Sequence, residues 1–284
     1  MPEATTRLLG LLGDPVAHSL SPRLHNYLIK RLDIDCRYLA FRVSPQDLSQ
    51  AVQGLKALGA AGFNVTVPHK RAVLPLLDEV SPQAQALGAV NTVVCQDGKL
   101  VGHNTDWIGF LRPLQGVQLQ GKGALILGAG GAANAVVYAL IHSGIGRIAI
   151  VNRTLERARR LAEHARVSLG FEGVEALSLD THALGPHLEN SALLVNATSV
   201  GMWPKVQETP LSADALGAHL TVYDLIYNPL ETRLLRESKA AGAHVIDGLD
   251  MFIGQGVAAF SLWTGVNVPE SEWPKLRKLL RVNL

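Results

Sequence analysis

A stretch of 19 residues without a charged side chain, from Gly123 to Ile141, constrains the fold of this chain more than any other feature. Its length approaches that of a membrane-spanning helix. It contains Asn134 and four glycines, however, and the glycines are bunched near its middle. This arrangement predicts a buried strand, a tight turn and a helix rather than a membrane span. Short β-rich runs alternate with helical patterns elsewhere, so the predicted fold class is α/β with mainly parallel strands.

The turn itself, residues 128–133, reads GAGGAA, which is a G-x-G-G-x-A pattern between a strand and a helix. Its first glycine permits a tight turn, its second lets the backbone approach a pyrophosphate, and Ala133 keeps the helix close to the sheet. Backbone N–H groups and the helix dipole then hold the phosphates. A purely structural glycine turn is the alternative, and the flanking strand and helix favour dinucleotide binding.

The end of the next predicted strand, RIAIVN at 147–152, indicates which dinucleotide is bound. NAD-binding proteins usually place a carboxylate there to bond the ribose 2′-hydroxyl. This chain has Asn152-Arg153-Thr154, with Arg157 one turn into the following helix. Two guanidiniums and a hydroxyl would hold a 2′-phosphate, which a carboxylate would repel. The alternative is that both arginines are solvated surface charges; the pattern favours NADP.

Reactive side chains are predicted at the ends of two further strands. In NVTVPHK (64–70), Asn64 and Thr66 would share one face of a strand, and the proline ends the strand just before Lys70. Asp106 follows a second strand in the same way. A lysine and an aspartate brought together can form a general acid–base pair. Each residue taken separately also has a structural interpretation, Lys70 as a surface lysine and Asp106 as the N-cap of a helix.

Three local signals add detail to this outline. Ser21-Pro22 predicts an N-cap and a first-turn proline for a helix that runs to about Leu32. A helix is expected from about His69. Asp97-Gly98 predicts the turn of a β-hairpin.

The composition excludes several kinds of partner. The 284 residues carry 26 Lys and Arg against 24 Asp and Glu, and only 18% of them are charged. This balance gives no electrostatic reason to expect binding to nucleic acid or a membrane. The ten histidines and two cysteines show no metal-ligand spacing, so no metal is expected. The few cysteines and the lack of a secretory signal predict a cytoplasmic protein.

Nine motifs follow one another along the chain in a characteristic order. They are GDPVAHSLSPRLHN (13–26), NVTVPHK (64–70), GAVNTV (88–93), GHNTDWIGF (102–110), GAGGAA (128–133), NRT (152–154), NATSVGM (196–202), YDLIYNP (223–229) and DGLDMFIGQG (247–256). Together they resemble the motifs of the shikimate dehydrogenase family over essentially the whole length. The first, second and fourth are highly specific to that family, whereas the glycine turn is shared widely.

The resemblance implies NADPH-dependent, reversible reduction of 3-dehydroshikimate to shikimate, on the pathway to chorismate and the aromatic amino acids. It implies an N-terminal α/β substrate-binding domain over 1–106 and a Rossmann-type NADP-binding domain over 107–248. The C-terminal helices, 249–284, are expected to pack back on the N-terminal domain. A small-molecule substrate and a monomer or homodimer are expected.

Matching the motifs one by one places Lys70 and Asp106 at the family's catalytic positions. The residues implied to bind the substrate's carboxylate and hydroxyls are Ser19, Ser21, Asn64, Thr66, Asn91, Tyr227 and Gln255. The residues implied to bind NADP are Gly128, Ala129, Gly130, Gly131, Ala132, Asn152, Arg153, Thr154, Arg157, Thr198, Leu225 and Gly248.

Two other functions stay open at this point. A quinate/shikimate dehydrogenase of dual specificity would differ by accepting one more hydroxyl, which a pocket not built against it rejects only weakly. Ser21 and the NADP-type residues 152–154 favour shikimate. A non-catalytic NADP-binding regulator should have lost Lys70 or Asp106, and both are present.

Overall fold

The computed structural model describes residues 3–179 and 184–281. This part of the chain divides into two compact units. The first unit contains residues 3–109 and 253–281, and the second contains 110–179 and 184–252. Each unit has its own six-stranded sheet.

Ten helices lie within the described residues. In chain order they are α1 (Ser21–Arg31), α2 (Leu48–Ala57), α3 (Pro82–Leu87), α4 (Asp106–Leu111), α5 (Gly131–His142), α6 (Leu155–Leu169), α7 (Gly185–Glu189), α8 (Arg233–Ala240), α9 (Gly248–Thr264) and α10 (Trp273–Arg281). No helix among the described residues is long and apolar enough to cross a membrane.

The sheet of the first unit is mixed. Its strands are β1 (Arg7–Gly13), β2 (Cys36–Arg42), β3 (Gly62–Val65), β4 (Glu79–Val80), β5 (Thr92–Gln96) and β6 (Lys99–His103), in the order β2-β1-β3-β5-β6-β4. β1 pairs in parallel with β2 and β3, whereas β5 is antiparallel to both β3 and β6. The carboxyl ends of β3 and β6 therefore lie at the same edge of the sheet, with the amino end of β5 between them.

The sheet of the second unit is parallel throughout. Its strands are β7 (Gly123–Leu127), β8 (Arg147–Asn152), β9 (Val174–Ser178), β10 (Leu193–Asn196), β11 (Thr221–Asp224) and β12 (His244–Ile246), in the order β12-β11-β10-β7-β8-β9. This is the strand order of the doubly wound dinucleotide-binding fold. Its topological switch point lies between β7 and β10, and ligands of such sheets bind beyond the carboxyl ends of the strands there.

The C-terminal helices pack within the first unit, as predicted. The indole Nε1 of Trp263 on α9 donates to the carbonyl oxygen of Val93 on β5 at 2.9 Å. Just before α10, the carboxylate of Glu272 accepts hydrogen bonds from the Tyr27 hydroxyl at 2.8 Å and from Arg31 Nε at 3.0 Å. These bonds connect the C-terminal segment to both the sheet and α1.

Several local predictions are confirmed. The uncharged stretch forms β7, a glycine turn and α5. Asp97 and Gly98 join β5 to β6 with φ angles of 51° and 74°, which suit a two-residue hairpin turn.

The predicted capping role of Ser21 is wrong. Ser21 is the first residue of α1, and the preceding Leu20 already has helical backbone angles without a side-chain cap. An N-cap residue needs an extended backbone, which the chain does not adopt at Ser21. The hydroxyl of Ser19 instead accepts a hydrogen bond from the Ser21 N–H at 3.2 Å.

The predicted helix from about His69 is also wrong. Residues 69–73 form turns, and a single 3-10 turn follows at Leu74–Leu76. The carbonyl of Lys70 accepts from the N–H of Val90 at 2.8 Å, so it is engaged outside any helical ladder. β3 ends at Val65, which leaves Thr66 beyond the strand on which it was predicted.

Candidate active site

Lys70 and Asp106 form an ion pair at the edge of the first unit's sheet. Lys70 lies in the turns that follow β3, and Asp106 is the first residue of α4, just after β6. Lys70 Nζ lies 2.6 Å from Asp106 Oδ2. The two side chains are 27% and 12% exposed, so both reach the surface of the unit. An ammonium and a carboxylate in direct contact, open to a small molecule, satisfy the geometric requirement for a general acid–base pair.

Asn91 binds the Asp106 oxygen that Lys70 does not contact. Its Nδ2 donates to Asp106 Oδ1 at 2.8 Å and to Thr105 Oγ1 at 3.0 Å. Its Oδ1 accepts from the Thr105 N–H at 2.7 Å and from Thr92 Oγ1 at 3.0 Å. Both N–H groups and the carbonyl oxygen of this amide are therefore engaged within the first unit, and Asp106 is held between Asn91 and Lys70.

The amide of Asn64 belongs to the same network. Its Nδ2 donates to the main-chain oxygen of Asn91 at 3.0 Å and to Thr92 Oγ1 at 3.1 Å. Its Oδ1 accepts from the Tyr38 hydroxyl at 2.7 Å. One lone pair of Asn64 Oδ1 is left to accept a hydrogen bond from a ligand hydroxyl.

The other expected substrate residues of the first unit lie on three separate segments of the chain. Ser19 and the buried Ser21 lie between β1 and the first turn of α1. The N–H of Thr66 donates to the carbonyl of Leu12 at 2.9 Å, which holds Thr66 beside the carboxyl end of β1. Gln255 is half-buried on α9. Hydrogen bonds among the described residues join Asn64, Asn91, Lys70 and Asp106 into one network, which does not include Thr66.

The glycine turn forms an open cradle in the second unit. Gly128 has φ of +107°, and its N–H donates to the carbonyl of Val151 at 2.7 Å. A Cβ at Gly128 would lie 2.9 Å from the carbonyl oxygen of Ala197, so a side chain there meets both strain and overlap. A Cβ at Gly130 or Gly131 would meet nothing within 4 Å. The backbone at these two positions is thus free to receive a phosphate at the start of α5, which fits NADP.

The residues after β8 carry the positive charge expected for a 2′-phosphate. Asn152 Nδ2 donates to the carbonyl of Thr154 at 2.8 Å and shapes the turn into α6. The side chains of Arg153 and Arg157 are exposed, and no residue among those described forms an ion pair with either. Two unpaired guanidiniums beside the end of β8 suit the 2′-phosphate of NADP.

Thr198 is held by a buried network beyond β10. Asn196 Oδ1 accepts from the Thr198 hydroxyl at 2.7 Å and from its N–H at 3.1 Å. Asn196 Nδ2 in turn donates to Asp224 Oδ1 at 3.0 Å, and Thr232 Oγ1 donates to Asp224 Oδ2 at 2.7 Å. Burial raises the pKa of Asp224 to about 6, although these donors and the Ile226 N–H oppose the rise.

Leu225, Gly248 and Tyr227 lie near one another at the carboxyl end of β11. The Gly248 N–H donates to the carbonyl of Ile226 at 3.1 Å, and a Cβ at Gly248 would overlap the carbonyl of Leu225. Only glycine permits this approach. The ring of Tyr227 packs against Phe252 with ring centroids 5.1 Å apart, and burial raises the pKa of Tyr227 above its usual value.

Three buried side chains that the sequence reading did not select support these sites. Tyr38 and Thr92 bind the amides of the first unit, and Asp224 anchors the Thr198 loop of the second. Thr92 lies in the motif GAVNTV and Asp224 in the motif YDLIYNP, but the pattern of each motif gives these residues no role beyond that of an ordinary strand residue. Tyr38 gives no signal, because its contact with Asn64 spans 26 residues of sequence.

No group of three or more His, Cys, Asp or Glu residues within the described part of the chain could hold a metal ion. The polar groups of the two candidate sites are amides, hydroxyls, main-chain groups, the Lys70–Asp106 ion pair and the guanidiniums of Arg153 and Arg157. Such donors suit a polyhydroxylated ligand and a dinucleotide.

Comparisons with known proteins agree with these features. The family described as "Shikimate dehydrogenase substrate binding domain" matches residues 11–93. "Shikimate / quinate 5-dehydrogenase" matches 113–202, and "Shikimate 5'-dehydrogenase C-terminal domain" matches 248–272. The three matches follow one another along the chain.

Individual relatives cover nearly the whole chain. The NADP+-dependent shikimate dehydrogenase of Moorella thermoacetica is 50% identical over 269 residues, which is 94% of this chain and 91% of that protein. A crystal structure of a shikimate dehydrogenase in complex with NADP+ superimposes with a TM-score of 0.93, at 40% identity, covering 100% of this chain and 98% of the other.

A quinate dehydrogenase from Corynebacterium glutamicum, solved in complex with NAD, superimposes with a TM-score of 0.90. It is 35% identical and covers 98% of this chain and 99% of its own. The identity to the Moorella relative is higher. The chain belongs to the shikimate dehydrogenase family.

Proposed function

We propose that this chain catalyses the reversible reduction of 3-dehydroshikimate to shikimate with NADPH, on the pathway to chorismate and the aromatic amino acids. The observation that carries the proposal is the 2.6 Å contact between Lys70 Nζ and Asp106 Oδ2. These residues stand where NVTVPHK and GHNTD place the family's catalytic pair. The two free cysteines, Cys36 and Cys95, support a reducing, cytoplasmic location.

Lys70 is the proton donor in this proposal. NADPH supplies the hydride when it is bound. As the carbonyl carbon of the substrate gains that hydride, its oxygen becomes an alkoxide, and the Lys70 ammonium transfers a proton to it. In the oxidation direction, neutral Lys70 accepts the proton of the hydroxyl. Asp106 keeps the Lys70 nitrogen in place in both directions.

The hydroxyls and the carboxylate of the substrate require short polar side chains. Ser19, Ser21 and Thr66 provide hydroxyls, and Asn64 provides the free lone pair of Oδ1. Gln255 and Tyr227 complete the proposed set. Asn91 contributes by holding Asp106, since both of its N–H groups are engaged by Asp106 and Thr105.

The second unit provides the groups for NADP. The backbone of residues 128–132 and the start of α5 hold the pyrophosphate, and Arg153 and Arg157 hold the 2′-phosphate with Asn152 and Thr154. Thr198, Leu225 and Gly248 lie along the remainder of the cofactor. The open space at Gly130 and Gly131 supports this placement.

Initial-rate assays test the proposal directly. The purified protein is offered shikimate or quinate, each with NADP+ or NAD+, and formation of the reduced cofactor is followed by absorbance. We expect fast turnover largely confined to shikimate with NADP+. Comparable turnover of quinate would indicate the dual-specificity function. Binding of NADP+ without turnover of either compound would indicate a regulator instead.

A charge-reversal variant sharpens the cofactor part of this test. Arg153→Asp should lower kcat/KM with NADP+ by roughly 10- to 100-fold and leave NAD+ almost unaffected, because repulsion replaces attraction at the 2′-phosphate. Arg159→Asp is the matched control, since Arg159 is exposed on α6, the helix that begins just after Arg153, and pairs with Glu156 at 3.3 Å. Equal losses with both cofactors in the Arg153 variant would contradict the assignment.

A further inference from the structure

A chain of hydrogen bonds leads from a buried tyrosine to the Asp106 carboxylate in the first unit. The Tyr38 hydroxyl contacts Asn64 Oδ1 at 2.7 Å, and Asn64 Nδ2 contacts Thr92 Oγ1 at 3.1 Å. Thr92 Oγ1 contacts Asn91 Oδ1 at 3.0 Å, and Asn91 Nδ2 contacts Asp106 Oδ1 at 2.8 Å. The first four members of the chain are at most 5% exposed, so most of their hydrogen bonds are made within the protein.

The donors and acceptors in this chain can be arranged in only one direction. The carboxylate of Asp106 and the main-chain carbonyl of Asn91 can only accept, so the NH2 groups of Asn91 and Asn64 must face them. The N–H of Thr105 can only donate, and it donates to Asn91 Oδ1 at 2.7 Å. Thr92 Oγ1 therefore accepts from Asn64, and it donates to Asn91 Oδ1 at 3.0 Å, which is a shorter contact than the 3.3 Å to Thr105 Oγ1. Tyr38 must donate to Asn64.

The geometry of Tyr38 is suited to a fixed donor. Its ring is stacked on that of His25, with centroids 4.3 Å apart and planes inclined by 22°. Tyr38 lies on β2 and Asn64 on β3, with β1 between them, so only a long side chain spans the gap. Burial raises the pKa of Tyr38 well above 10, opposed by a hydrogen bond from Ser21, so the hydroxyl keeps its proton.

We propose that Tyr38 and Thr92 are positioning residues for the reaction. Tyr38 fixes the amide of Asn64 so that it presents only an acceptor to the substrate. Thr92 accepts from Asn64 and donates to Asn91, and so fixes the orientation of the Asn91 amide that binds Asp106. The substrate hydroxyl at Asn64 must then act as a donor. This inference rests on the proposed function, because the readouts use shikimate and NADP+.

The decisive experiment compares two substitutions at Thr92. Thr92→Val keeps the shape and removes the hydroxyl with its contacts to Asn64, Asn91 and Thr105, whereas Thr92→Ser keeps the hydroxyl and removes a methyl group. We expect Thr92→Val to lower kcat/KM for shikimate by about 10- to 30-fold, with part of the loss in kcat. Thr92→Ser should stay within about threefold of the wild type. The KM for NADP+ should be unchanged in both variants.

Tyr38→Phe tests the first member of the chain. Removal of the hydroxyl should raise the KM for shikimate by about 5- to 10-fold with a smaller effect on kcat. Calorimetric titration with shikimate alone should show the same loss of affinity. Tyr223→Phe is the matched control, because Tyr223 is also fully buried and stacked, against Phe110, and its hydroxyl has no hydrogen-bond partner among the described residues.

The outcomes separate this inference from the proposed function. If the wild type does not oxidise shikimate, the proposed function fails. If the wild type is active and Thr92→Val matches Thr92→Ser, or Tyr38→Phe matches Tyr223→Phe, the positioning role is refuted.

Discussion

Two carboxylates, one in each unit, occupy comparable positions and have opposite surroundings. Asp106 follows β6 and contacts the ammonium of Lys70 together with the amide of Asn91. Asp224 ends β11 and accepts from the Thr232 hydroxyl, the Asn196 amide and the Ile226 N–H, all of which are neutral. The Asp106 side chain is 12% exposed, whereas Asp224 is completely buried.

The difference separates the carboxylate of the proposed catalytic pair from a structural one. The Asp106 carboxylate has a cation as its direct partner and can therefore orient Lys70. Asp224 has no cation among the partners that bond it, so burial makes its charged form costly and raises its pKa to about 6. Its three donors nevertheless hold it rigidly, which keeps the Thr198 loop in place. Substitutions at Lys70 and Asp224 test the two carboxylate sites separately, and substitutions in the glycine turn test a third part of the molecule.

Lys70→Met should give the largest effect, because it removes the proton donor while leaving a side chain of similar length. We expect kcat to fall by roughly 10²- to 10⁴-fold, the range that general acid–base groups contribute. Thermal unfolding, measured alongside, separates this loss from any loss of stability caused by leaving the largely buried Asp106 carboxylate without its cation.

Lys70→Arg is the control that keeps the positive charge but cannot donate a proton readily. A double variant with Asp106→Asn should be no slower than Lys70→Met, because the two residues act as one unit. Near wild-type turnover of Lys70→Met would remove the pair from the catalytic site.

Asp224→Asn should change stability rather than chemistry. The pKa of this group is about 6 in the folded chain against an ordinary value of 3.8, so between these values the folded state binds the extra proton. The contribution is fully present below about pH 4 and is lost as the pH rises through about 6, and it corresponds to at most about 3 kcal/mol.

Denaturant unfolding of both proteins between pH 4 and about pH 8 measures this difference. The free energy of unfolding of the wild type, minus that of Asp224→Asn, should decrease as the pH rises. A constant difference would show that Asp224 has the same pKa in the folded and unfolded chains. Turnover at saturating NADP+ should be nearly equal in the two proteins.

The glycine turn gives a smaller, two-part effect. Gly128→Ala forces a side chain onto a φ of +107° and against the Ala197 carbonyl, so we expect it to cost about 1–3 kcal/mol of stability as well as NADP+ affinity. Gly130→Ala has an ordinary φ of −96° and open space, so it should lower NADP+ affinity with stability nearly unchanged. Calorimetry and thermal melts distinguish the two; equal melting losses would contradict the open cradle.

Periodicity and turn residues were sufficient to predict much of the fold. The glycine turn, its flanking strand and helix, and the Asp97-Gly98 hairpin agree with the structure because these signals act over a few neighbouring residues. Three edge strands, β4, β9 and β12, were not predicted. β12 has only three residues, and its pairing with β11 depends on a partner more than 20 residues earlier.

The errors occurred where distant parts of the chain compete with local preference. His69 was expected to begin a helix, but its ring Nε2 contacts the Val43 carbonyl at 2.7 Å. The carbonyl of the next residue, Lys70, accepts a hydrogen bond from the Val90 N–H. Both partners lie more than 15 residues away. A local reading of Pro68 and the residues after it contains no information about them.

The amino-acid sequence by itself determined the family, the preference for NADP and the identity of the proposed catalytic pair, because each depends on residue types within short motifs. Only the tertiary structure decided how these side chains are held. The parallel course of β3 and β6 brings Lys70 to Asp106, and β5 between them brings Asn91 and Thr92. Tyr38 reaches Asn64 across β1. Hydrogen bonds between strands fix these distances, and no single motif contains the information that sets the register of the strands.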